Sequence, residues 1–173
     1  IITKTISSTD ETASGQKQID YLYAKTTVTS TEPTVTFQFT HRMTQLNLNF
    51  VAGTGDVTID NLSYTLRGLQ LAGSFNTEEG TAAATGEAGD LTMSEVKKSS
   101  SLIVFPQSET TANLLITIGG TTYKTTLNIP ALTSGKSYSY TITVNRTGIS
   151  VSGATITDWA TGEVANPNVT ATV

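Results

Sequence analysis

The sequence has no cysteine and only one histidine among its 173 residues. The first absence removes disulfides, thiolate catalysis, iron–sulfur clusters and cysteine zinc sites together. With a lone histidine, a structural zinc site also lacks a ligand set. Charge is scarce as well. Asp, Glu, Lys and Arg make up 14% of the chain, against roughly 25% in an average domain. The net charge of −4 argues against a phosphate-binding surface and so against nucleic acid as a partner. No apolar run approaches the length of about 18 residues that a membrane-spanning helix requires, and no basic-then-apolar signal segment is visible. The chain opens at Ile1 rather than methionine and is read as a processed or truncated form.

Hydroxyls fill the place of the missing charge. Thirty-five residues are threonine, about a fifth of the chain. Threonine is β-branched and suits a pleated, half-buried surface better than a helix. Residues 34–40 show the clearest alternation: Val35, Phe37 and Phe39 point one way, Thr34, Thr36, Gln38 and Thr40 the other. Strict period two predicts a strand with one buried face. Leu46, Leu48 and Phe50 repeat it, and a bulge or bend at 41–45 is expected to keep both runs in one long strand. Further strands are predicted from Val57 and Ile59, across Tyr64, Leu66, Leu69 and Leu71, and at 102–105, 114–118, 121–129 and 138–144. The phase change at Gly68 marks a bulge, and Gly119-Gly120 marks a hairpin. Residues 76–90 are small, acidic and glycine-rich and read as an exposed loop with a short strand at Ala82–Thr85. No segment has helical periodicity over ten residues. Nine to eleven strands spaced by Gly, Pro and Asn turns predict an all-β, antiparallel two-sheet β-sandwich of Greek-key, transthyretin- or immunoglobulin-like type, with little or no helix.

Residues that could carry chemistry each have a plainer reading. His41 lacks a Gly-x-Ser-x-Gly companion and reads as a loop or edge histidine. Glu78, Glu79, Glu87 and Asp90 lack the spacing of a calcium loop and read as solvated. Trp159 and the six tyrosines suit a sandwich core better than a sugar platform. No catalytic, cofactor-binding or metal-binding residue is expected, and no cofactor.

The order of several segments resembles a known family. Asp20-Tyr-Leu-Tyr-Ala24, Val35-Thr-Phe-Gln-Phe-Thr-His41-Arg-Met43 and Gln45-Leu-Asn-Leu-Asn-Phe50 look like the central region of Bacteroidales fimbrillins, the major- and minor-fimbria-like proteins of type V pili. Val104-Phe-Pro-Gln107, Leu132-Thr-Ser-Gly-Lys-Ser-Tyr138, Tyr140-Thr-Ile-Thr-Val144 and Ile156-Thr-Asp-Trp159 continue the likeness. It implies an exported lipoprotein precursor of the cell surface or fimbrium, associated with the outer membrane and without enzyme activity. The implied partners are other fimbrial subunits, with a host glycan or protein as a further candidate. Such proteins usually carry two sandwich domains. Residues 1–30 are therefore expected to be the end of a first domain or an added edge strand, 31–162 the β-sandwich, and 163–173 a C-terminal tail.

Open sheet edges expose N–H and C=O groups that a neighbour's strand can satisfy. A repeated head-to-tail contact of that kind builds an open filament. Val169, Ala171 and Val173 alternate along the tail, and with Val164 they make it the candidate assembly strand. The competing function is a carbohydrate- or host-ligand-binding β-sandwich module.

Overall fold

The computed structural model describes residues 1–12, 14–29, 34–159 and 168–172, the last group as backbone. Strands dominate in chain order: β1 (Ile2–Thr5), β2 (Leu22–Tyr23), β3 (Thr34–Gln38), β4 (Thr40–His41), β5 (Thr44–Ala52), β6 (Leu62–Gln70), β7 (Ala72–Asn76) and β8 (Thr81–Ala84). They continue as β9 (Ala88–Val96), β10 (Ser99–Val104), β11 (Thr110–Ile118), β12 (Thr121–Ile129), β13 (Lys136–Asn145), β14 (Gly148–Val151), β15 (Thr155–Asp158) and β16 (Asn168–Thr172). One four-residue helix, α1 (Gln16–Ile19), interrupts them. The predicted all-β class holds.

Two larger sheets carry the core. One has the order β10-β5-β13-β14, with β15 also on β13; the other has the order β12-β11-β6-β9. Alternate residues bury the apolar stripe of each strand. Leu46, Leu48 and Phe50 on β5 and Tyr138, Tyr140, Ile142 and Val144 on β13 are buried, as are Leu62, Tyr64 and Leu66 on β6 and Leu114 and Ile116 on β11. Each such side chain contributes roughly 1.5–3 kcal/mol by leaving water. Contacts cross between the layers: the Phe50 and Tyr64 rings lie 5.5 Å apart, the Tyr64 hydroxyl bonds Ser100 at 2.7 Å, and the Tyr140 hydroxyl donates to the Asn128 carbonyl at 2.9 Å. A sandwich of two pleated layers is the result.

All strand pairs are antiparallel except β5 with β13, which run parallel from Gln45↔Ser137 to Ala52↔Val144. A parallel pair cannot be closed by a hairpin; the core stripes hold its register from one face, and Ser137 bonded to Gln45 and Asn47 holds it from the other. Local turns follow their glycines. Ile118 pairs with Thr121 across Gly119-Gly120, whose φ values of 55° and 81° suit the I′ hairpin turn. The register of β6 against β9 slips between Arg67 and Leu69, and Gly68 takes φ 106° there, which is the bulge expected from the phase change.

Some expectations fail for physical reasons. The two runs around 41–45 do not form one strand: Phe39 and the Arg42-Met43 pair interrupt it, and β3, β4 and β5 belong to three different sheets. Val57 and Ile59 alternate but lie outside any strand, although Ile59 is still buried. Residues 76–90 are more ordered than a loop. They hold the β7–β8 hairpin, with Asn76↔Thr81 at its tip, and the start of β9. The short strand expected over Ala82–Thr85 is β8, one residue earlier.

The N-terminal residues join the same core. β1 pairs with β7, and Ile6 and Ile19 are buried in the cluster that contains β5 and β13.

Candidate functional site

The strongest alternation in the sequence lies off the main sheets. β3 pairs only with β16, antiparallel, from Thr34↔Thr172 to Gln38↔Asn168, as a two-stranded ribbon. Val35 and Phe37 are half-buried, and Phe39 remains 38% exposed. Of the expected assembly residues, Val169 falls opposite Phe37 and Ala171 opposite Val35. Val164 and Val173 lie outside the described residues. A two-stranded ribbon is marginal in water unless something covers its apolar face.

A second edge is closed by side chains rather than by a strand. β10 ends the five-stranded sheet. Glu11 Oε2 accepts the Ile103 N–H at 2.8 Å, and the Gln16 side-chain amide donates to the Ser101 carbonyl. Glu11 is only 5% exposed, and its Oε1 is buried without a hydrogen-bond partner. Burial pushes its carboxyl up to about 8, against the hydrogen bonds from Ile103 and Gln16 that favour the charged form. This plug has no local signature, because Glu11 and Ile103 are far apart in the chain.

His41 is placed by packing. Its Nδ1 lies 2.7 Å from Asp20 Oδ1, and its ring stacks on Trp159 with centroids 4.0 Å apart and 7° between planes. That stack occupies one face of the tryptophan. Tyr64, Tyr138 and Tyr140 are core residues, and Tyr21 stacks on Phe75 at 4.9 Å. Among the described residues, no three His, Cys, Asp or Glu side chains gather as a metal site.

A family model described as fimbrillin-like matches residues 2–159. A candidate cell adhesion protein from Bacteroides ovatus, known as a crystal structure, superposes with a TM-score of 0.82 at 35% identity, covering 94% of this chain and 61% of that one. A second from Bacteroides uniformis superposes at 0.75 with 24% identity, covering 91% of this chain and 66% of that one; at that identity the likeness concerns the fold. The chain thus spans under two thirds of the length of both. No curated protein matches it.

Proposed function

The chain belongs to the fimbrillin-like family, and from that premise we propose that it is a non-enzymatic fimbrial subunit of the cell surface, joined to its neighbours by β-strand donation. The observation that carries this reading is the β3–β16 ribbon, which stands apart from both layers of the sandwich. β16 of another copy would meet β3 in the same register, with the same main-chain bonds, and leave the sandwich intact. Exchange of identical elements between copies is a low-cost route to association, and a head-to-tail version does not close.

Cysteine cross-linking tests this cleanly, since the chain has no cysteine of its own. Val35 and Ala171 are directly opposite, within reach of a disulfide. Val35→Cys combined with Ala171→Cys is expected to give a ladder of covalent oligomers from assembled filaments on a non-reducing gel. Cross-links confined to single chains within filaments would refute donation. Deleting 164–173 is expected to abolish filaments while the β-type circular dichroism persists; filaments of unchanged length would also refute it.

A further inference from the structure

Beside β3 lies a cleft of about 430 Å³ lined by Tyr23, Lys25, Thr36, Gln38, Thr40 and Arg42, among others. Its charge is one-sided. Among the described residues, no Asp or Glu lines it, whereas two other open clefts carry Asp56 and Asp60 or Glu109. The chain as a whole has a net charge of −4, so two cations without an acid between them stand out. Among the described residues, the ion pairs are Lys4–Asp10, His41–Asp20, Arg67–Asp90 and Lys136–Asp158, none of which involves Lys25 or Arg42.

Arg42 is held in place before any ligand arrives. Its guanidinium carbon sits 5.2 Å from the centre of the Tyr23 ring, a cation–π arrangement. The Tyr23 hydroxyl donates to the Glu78 carbonyl at 2.7 Å. The ring also lies against Gly80, where an added Cβ would come within 2.2 Å of it. The Arg42 main chain is tied at both groups: its N–H donates to the Tyr21 carbonyl at 2.8 Å, and its carbonyl accepts from the Ser134 hydroxyl at 2.9 Å. Its Nε is buried and has no hydrogen-bond partner. A guanidinium on a fixed stem, engaged in none of the ion pairs above, is suited to a carboxylate, which arginine recognises in a planar, two-point fashion.

The neutral lining selects among carboxylates. Thr36 and Gln38 share one face of β3, since residues two apart in a strand point the same way, and Thr40 follows them. These groups offer both donors and acceptors, which suits ring hydroxyls. We propose that this cleft binds an acidic sugar, its carboxylate on Arg42 and Lys25 and its ring hydroxyls on Thr36 and Gln38. The inference does not depend on strand donation.

Titration calorimetry and NMR of the full chain with glucuronic acid, N-acetylneuraminic acid, glucose and acetate test it. The expected result is saturable binding of at least one of the two acids, no measurable binding of glucose, and clearly weaker binding of acetate. The two acids distinguish a uronic acid from a sialic acid as the source of the carboxylate. Arg42→Gln is expected to weaken binding at least tenfold and Lys25→Gln several-fold, with the loss reproduced by raised salt. Lys25 is exposed, so its variant stays informative if Arg42→Gln disturbs the fold. The proposal is overturned if neither acid binds, if glucose binds equally, if acetate binds as tightly as the sugars, if both variants bind like the parent, or if an Asp/Glu-rich peptide binds more tightly than either sugar.

Discussion

β3 and β5 are written in the same code and meet different fates. Val35, Phe37 and Phe39 alternate as cleanly as Leu46, Leu48 and Phe50. Yet the β5 stripe is sealed, and the β3 stripe is at best half-covered. The difference lies in the neighbours. β5 runs between β10 and β13, and a second sheet lies on its inner face. β3 has β16 alone. Period two tells which residues share a face; it does not tell whether that face meets a second layer.

The sharpest way to break this comparison is truncation on both strands. Leu48→Ala is expected to cost about 2–5 kcal/mol in urea unfolding, as for other fully buried leucines. Phe37→Ala is expected to cost well under half of that while impairing filament formation. Equal losses of stability would mean that β3 belongs to the core after all.

The next effect contrasts the two covered edges, one closed by β16 and the other by the Glu11 plug. The folded-state pKa of Glu11, about 8, lies above its ordinary value of 4.5. The folded chain therefore holds this proton more tightly than the unfolded chain does. The contribution to stability is complete below pH 4.5 and is lost as pH rises through 8, by a few kcal/mol at most. Glu11→Gln keeps an oxygen for the Ile103 N–H and cannot ionise. Its stability is expected to vary less between pH 5 and 8 and to exceed the parent's at pH 8. Identical pH profiles in chemical denaturation would show that the plug does not titrate in this range.

The smallest effect concerns an exposed ion pair. Lys136 bonds Asp158 at the start of β13, but the Asp158 side chain is 84% exposed. Lys136→Ala is expected to change thermal stability by no more than about 0.5 kcal/mol. A larger loss would show that β15 depends on this pair more than on its ladder with β13.

The parts legible in the sequence are those set by neighbouring residues. Gly119-Gly120 announces its hairpin, Gly68 its bulge, and Tyr138 to Val144 a buried strand. What could not be read depends on distant partners. Glu11 meets Ile103 only after folding, Arg42 acquires its place from Tyr23 and Gly80, and the parallel register of β5 and β13 has no local signature. The fimbrillin-like order of motifs was legible because it is a property of the whole chain. The cleft that holds Lys25 and Arg42 was not, since these are ordinary solitary charges until β3 is laid beside them.

The His41–Trp159 stack has a mechanical consequence. Trp159 N–H bonds the Gly135 carbonyl, and Gly135 N–H bonds the Met43 carbonyl, each at 2.9 Å. The chain that leads from β3 into the sandwich and the chain that leaves after β15 are therefore clasped together at one corner. A pull applied between His41 and Trp159 would load that clasp directly.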